Sequence, residues 1–149
     1  MIAVIQRVLN SNVVIDGKIY SEINKGLMVL LGVKKGDTKE TGKHLANKIL
    51  DLRIFEDENG KMNLSVKDVQ GEILVISQFT LCTDKNKSGN RPSFTFAEEP
   101  QIANEMYEYF VNELKQNYDS DKIKTGVFAA DMKVNLTNDG PVTIILEKE

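Results

Sequence analysis

Leu27-Met28-Val29-Leu30-Leu31-Gly32-Val33 is an unbroken run without a polar side chain. Its brevity predicts a strand, and the lack of alternation predicts that both faces of that strand are covered. Working outward, residues 2–9 and 12–22 are rich in Val and Ile and read as strands, with Asp16-Gly17 as a hairpin turn signal. On the other side, Asp37 is a candidate N-cap with Glu40 at capping-box spacing. Leu45, Ile49 and Leu52 then fall at i, i+4 and i+7, which predicts an amphipathic helix over 38–52.

Residues 53–56 and 72–81 are further strand candidates, with a turn between them at Asn59-Gly60. From Thr83 to Ser93 the chain has no periodicity and contains Gly89, Asn90 and Pro92, so it reads as a loop. A second helix is predicted over 99–117, with Pro100 in its first turn. Its stripe of Ile102, Met106, Phe110 and Leu114, flanked by Ala103, Tyr107 and Val111, is broad enough to be buried against a sheet. Strands are expected at 131–137, where Met132, Val134 and Leu136 alternate with Lys133, Asn135 and Thr137, and at 141–147. With no repeat, low-complexity segment or linker, many strands and two helices predict one α/β domain over 1–149.

A chain of 149 residues can bury roughly 70% of its unfolded surface, so neither disulfides nor metals are needed for stability. Cys82 is the only cysteine, which suits a reducing compartment. The sequence shows neither a signal-peptide pattern nor an apolar run approaching a membrane span, and a cytoplasmic location is expected. A net charge of −3 counts against strong nonspecific nucleic-acid binding. The positive charge is clustered, however: Lys85, Lys87 and Arg91 share one loop, and Lys34 and Lys35 another.

His44 is the only histidine and falls on the polar side of the first predicted helix. With one histidine and one thiol no His/Cys zinc cage can be assembled, and a Ser-His-Asp triad would have to use His44, which lacks an adjacent nucleophile. Nucleotide-cradling glycine motifs are absent too. Neither cofactor nor metal is expected.

Two stretches carry polar groups that packing does not require: Ser77-Gln78-Phe79-Thr80-Leu81 and Asn138-Asp139-Gly140-Pro141-Val142-Thr143-Ile144. Gly-Pro gives the second unusual backbone options, including a cis bond, and could aim a carbonyl oxygen at a ligand's ammonium group. In the first, Thr80 would be a nucleophile only if a base removed its proton, and the motif contains none. On a strand, 77 and 79 would face one way and 78 and 80 the other, so backbone amides near Phe79 and Thr80 are expected to contribute.

These two stretches resemble the signature motifs of the D-aminoacyl-tRNA deacylases. The likeness extends through Met1 to Val8, Arg53-Ile54-Phe55, Gly60 to Leu64, Asn90 to Phe94 and Gly126-Val127-Phe128-Ala129-Ala130-Asp131-Met132, essentially the whole chain. Cys82-Thr83 is a departure, where small or aromatic residues are expected. The resemblance implies a layered sheet/sheet/helices fold with mostly antiparallel strands. It also implies hydrolysis of the ester of D-aminoacyl-tRNA, and of glycyl-tRNA, with help from the RNA 2′-hydroxyl. The catalytic group would be Thr80, Phe79, Gln78 and Ser77; Gly140, Pro141, Arg7 and Met132 would bind substrate, with Arg7 bracing the Gly-Pro motif and Met132 nearby. Lys85, Lys87 and Arg91 would touch tRNA. The implied partner beyond RNA is a second copy, a homodimer in which Gly-cis-Pro enters the other subunit's pocket and excludes L-residues; no membrane is involved. Two other readings stay open: a nucleic-acid-binding protein without catalysis, and a threonine-nucleophile esterase.

Overall fold

The computed structural model describes residues 1–149. Strand β1 (Ile2–Ile15) is one long element where two were expected, and it runs through Asp16-Gly17 into β2 (Lys18–Ile23). Both turn residues have positive φ, 51° and 76°, as a two-residue hairpin loop requires. The apolar run becomes β3 (Gly26–Gly32), buried on both faces as predicted.

Helix α1 spans Lys39–Asp51, but its N-cap is Thr38, whose side chain exchanges bonds with Thr41. Asp37 is displaced from that role because its carboxylate takes the backbone nitrogens of Met1 (2.6 Å) and Lys34 (2.7 Å). His44 is exposed, as expected. The Asn59-Gly60 turn joins two short strands, β4 (Phe55–Glu56) and an unanticipated β5 (Met62–Leu64).

The predicted 72–81 strand stops early. Strand β6 is Glu72–Ser77, and Phe79–Cys82 tightens into a 3-10 turn. Helix α2 (Pro100–Asn117) buries Ala103, Met106, Tyr107, Phe110, Val111 and Leu114, while Ile102, assigned to the stripe from sequence, is 43% exposed. Strand β7 (Ile123–Thr125) is too short to show a period and was not anticipated. The two expected closing strands are one, β8 (Lys133–Glu147), and the Gly140–Pro141 bond inside it is cis.

Strand β1 organises the sheet. Its first half pairs antiparallel with β3, its second half with β2, and β8 follows it along the opposite edge, with register shifts between Gln6 and Asn10. Strands β6 and β7 add in parallel beside β3. The far half then curls back over the sheet, tied by Ser21 Oγ to the Thr125 carbonyl (2.7 Å) and by the Asn24 N–H to Glu72 Oε1 (2.8 Å).

That curl explains the two separate cores. Period-two alternation sends Leu27, Val29, Leu31, Ile73 and Val75 toward α1 and α2. It sends Met28, Leu74 and Ile76 the other way, against Val8, Val13 and Ile23 of the curled half. The result is the expected α/β layering of sheet, sheet and helices, with two main helices and mixed strand pairing. No helix is long and apolar enough to cross a membrane.

Candidate substrate cleft

Strands β3, β6 and β7 are parallel, so their carboxyl ends open on the same side, the usual location of ligand crevices in such sheets. A cleft of about 750 Å³ lies there. Ser77, Gln78 and Phe79 form one wall, Phe128 to Met132 another, and Val33, Lys35, Ala97 and the start of α2 complete it.

Backbone hydrogen bonding shapes the first wall. The Gln78 N–H still reaches the Leu31 carbonyl (2.8 Å), the last pairing that β6 makes with β3. The chain then turns through Leu81 N–H to Gln78 carbonyl (3.3 Å), and Thr83 Oγ1 donates to the Thr80 carbonyl (2.6 Å). The 3-10 turn replaces strand alternation across 77–80, and Ser77, Gln78 and Phe79 line the cleft while Thr80 does not. Gln78 and Thr80 meet side chain to side chain, Nε2 donating to Oγ1 at 2.5 Å.

Phe79 is 57% exposed and meets Phe94 edge to face, with ring centroids 5.3 Å apart. Thr80 Oγ1 has the Gln78 amide as its hydrogen-bond partner, and an amide donor cannot take its proton. Of the three carboxylates around the cleft, Asp131 is paired with Lys133 (2.9 Å), Glu98 accepts the Glu99 N–H (2.8 Å), and the Glu99 side chain has no partner; none is bonded to Thr80. No group of three or more His, Cys, Asp or Glu is placed to hold a metal ion.

The opposite wall is fixed by Gly126. A Cβ there would lie 2.5 Å from Met132 Sδ and 3.1 Å from Ile76 Cδ1, so the absence of a side chain at 126 leaves the space that the Met132 thioether occupies. Ala129, midway along the loop, has φ of 64°, a left-handed conformation. Beneath it Tyr107 donates to the Val75 carbonyl (2.7 Å), and burial holds its phenol far above the ordinary tyrosine range.

The predicted substrate-binding residues fall into two groups. Met132 lines the cleft with Ser77, Gln78 and Phe79, whereas Arg7, Gly140 and Pro141 do not. Within one chain Met132 thus stands beside the first motif. Gly140 and Pro141 are exposed on β8. Arg7 is 5% exposed and braces their turn: Nε donates to the Asp139 carbonyl (3.0 Å) and Nη1 to the Ile54 carbonyl (2.8 Å). Lys85, Lys87 and Arg91 are exposed on the loop after the 3-10 turn. The sequence reading did not single out Phe94, Phe128, Ala129 or Ala130 for the cleft; the last three lie in the Gly126–Met132 stretch, whose likeness to known proteins was the available signal.

The family model described as D-Tyr-tRNA(Tyr) deacylase matches residues 4–147. The chain belongs to that family. A D-aminoacyl-tRNA deacylase of Persephonella marina is 60% identical over 100% of this chain and 99% of its own length. That of Aquifex aeolicus is 56% identical over 99% and 97%. Among solved structures, the c-Myc DNA Unwinding Element Binding Protein superposes with a TM-score of 0.95 at 45% identity, covering 100% of this chain and 99% of that one. A probable eukaryotic D-amino acid tRNA deacylase shares the fold, at a TM-score of 0.80 and 15% identity over 97% of each chain. Deacylase relatives of nearly equal length thus span the two walls of the cleft and the Gly140-Pro141 strand alike.

Proposed function

We propose that the protein hydrolyses the ester linking a D-amino acid, or glycine, to the 3′ end of tRNA. The observation that carries this reading is the cleft at the end of β6, where the Ser77–Phe79 wall offers hydrogen-bonding groups and no base touches Thr80. An aminoacyl ester is already activated and has a 2′-hydroxyl beside it. Such a substrate asks for orientation and a place for the developing oxyanion rather than a triad. The Phe79 and Thr80 backbone N–H groups supply that place, the 2′-hydroxyl helps direct water, and Thr80 is held by Gln78 as a hydrogen-bonding residue.

Chiral selection requires a second copy of the chain. Gly140 and Pro141 are exposed and lie outside their own cleft, on a turn that Arg7 holds. Entering the partner's cleft, the Gly140 carbonyl takes the substrate ammonium, and an L side chain then collides with the Gly140-Pro141 wall. A D side chain turns away, and glycine has nothing to reject. Lys85, Lys87 and Arg91 contact the RNA backbone. One domain over 1–149 does this work in the cytoplasm.

Incubation with D- and L-aminoacyl-tRNA tests the proposal. Rapid release of the D-amino acid alone, unaffected by chelators, is expected; equal rates for both enantiomers would refute the chiral wall. The name of the DNA-unwinding-element relative favours a second reading, nucleic-acid binding without catalysis. Against it stands the net charge of −3. Tight DNA binding with no ester cleavage would establish it.

A further inference from the structure

A second cavity, about 490 Å³, lies on the far side of the wall that bounds the substrate cleft. That wall is the bridge between Lys34 and Ala97, closed by Lys35 N–H to the Phe96 carbonyl (2.9 Å) and Glu98 N–H to the Val33 carbonyl (3.0 Å). Lys35 lines both cavities. So does the 3-10 turn, which shows Phe79 to the cleft and Leu81 and Cys82 to the second cavity.

Three lysines and three carboxylates line the second cavity, and the ion pairs engage only one of the lysines. Glu147 and Glu149 both hold Lys34 Nζ, at 2.8 and 3.3 Å, and Asp37 is taken by the Met1 and Lys34 backbone nitrogens. Glu147 sits below and Lys34 above the ordinary range for its type, each chiefly because of their mutual hydrogen bond. Lys35 and Lys85 have no ion-pair partner, so two ammonium groups stay open to a ligand although lysines and carboxylates balance over the lining as a whole. Beside them Phe96 is 48% exposed, its carbonyl bound to the Lys35 N–H, and Thr83 and Asn86 add hydrogen-bonding groups. An exposed aromatic face next to free cations is what a single-stranded nucleotide requires: the base stacks and the phosphate is neutralised.

We infer that this cavity receives the nucleotide preceding the aminoacylated adenosine, its base against Phe96 and the connecting phosphate at Lys35 and Lys85. The inference rests on the deacylase reading, which puts the adenosine ester in the adjoining cleft. Transfer RNA ends in single-stranded CCA, so the nucleotide concerned is a cytidine. Lys35 lines both cavities, so the two positions are adjacent across one residue. The protein would then recognise a dinucleotide end, with affinity that does not depend on the duplex beyond it.

The test compares two minimal substrates, D-tyrosyl-adenosine and the D-tyrosyl ester of CpA. Wild-type protein is expected to prefer the CpA ester by about tenfold in kcat/KM, mostly through KM, the worth of one stacked base at the lower end of its range. Raising salt should weaken only the CpA ester, which alone carries a phosphate. In the Phe96→Ala, Lys85→Ala double variant the preference should shrink to about twofold, on the same stacking and phosphate terms. Both side chains are exposed, so an unchanged melting temperature is expected alongside. Equal kcat/KM for the two esters in wild type, or a preference undiminished in the variant, would overturn the inference while leaving the deacylase reading standing. Cleavage of neither ester nor of D-aminoacyl-tRNA would overturn both.

Discussion

Gly140→Ala probes the part of the proposed site that lies outside its own cleft. Gly140 has φ of +126°, far outside the conformations open to an L-residue. Holding alanine there costs roughly 1–3 kcal/mol in backbone strain alone. The added Cβ would stand 3.0 Å from the Val142 nitrogen and 3.1 Å from Arg7 Nη2. Arg7 has little room to retreat, because it is buried and already bonded to the Asp139 and Ile54 carbonyls. If it gives way, one charge-assisted hydrogen bond is lost, worth about 1.5–3 kcal/mol. Retaining the native turn would therefore cost about 2.5–6 kcal/mol in all. At roughly 2–4 °C per kcal/mol for a domain of this size, the melting temperature should fall by at least 5 °C or so. The turn is exposed, so the chain can instead relax locally. Relaxation would spare stability but move the Gly140 carbonyl that is proposed to take the ammonium. Thermal melting and the rate on D-aminoacyl-tRNA, measured together, cover both routes. A variant with wild-type melting and wild-type D-rate would show that the turn is soft and that its carbonyl holds nothing.

Arg7→Lys keeps the charge but not the planar fork that serves two carbonyls at once, and should lower stability by about 1.5–3 kcal/mol in urea unfolding; a midpoint unchanged from wild type would remove Arg7 as the brace. Thr80→Ala should slow D-ester cleavage by no more than about tenfold, the worth of one hydrogen bond. A loss of several orders of magnitude, with an acyl-enzyme trapped on wild type, would make Thr80 the nucleophile. Tyr107 has a folded-state pKa raised by burial, so its contribution to stability is complete below the ordinary value of 10.0 and is lost as pH rises above it. Tyr107→Phe should cost about 0.5–1.5 kcal/mol at pH 7 through its lost bond to Val75, and should flatten the alkaline fall in stability; parallel pH curves for the two proteins would contradict the assignment. Cys82 is 3% exposed and burial pushes its thiol up, so it should resist alkylation at pH 8 until the chain is unfolded in denaturant.

What the sequence made legible follows how locally each element is determined. The 27–33 run and both helices were readable because their signals, burial on both faces and a stripe at helical spacing, are carried by consecutive residues. Asp37 failed as a cap because the competing donors, Met1 and Lys34, come from the chain start and the preceding loop, which spacing cannot show. β1 was split in two at Asn10-Ser11, the two polar residues between the 2–9 and 12–22 stretches. The sheet continues through them, with Ser11 and Asn12 paired to β2 and to β8 on opposite sides. Strands β5 and β7, at three residues each, are too short for any period to register.

The candidate site divides along the same line. Ser77, Gln78 and Phe79 were named from sequence and share one wall, because they are contiguous and close β6. The facing wall depends on Gly126 admitting Met132, a contact across six positions of irregular chain that no propensity encodes. Arg7 is the most distant case. It joins Gly140 through a register shift near the middle of β1, which leaves Arg7 without a backbone partner on β8 where Gln6 has Thr143 and Val8 has Asn138. Residues 139–142 of β8 are spare in that register, and Arg7 fills the gap by holding the Asp139 carbonyl with its side chain. Glycine suits the turn at that point, since its φ of +126° strains any other residue and a Cβ would crowd the guanidinium at 3.1 Å. The Gly-Pro motif is thus coupled to the sheet through one buried cation, and disturbing Arg7 should move the outer turn while leaving the cleft wall at Ser77–Phe79 in place.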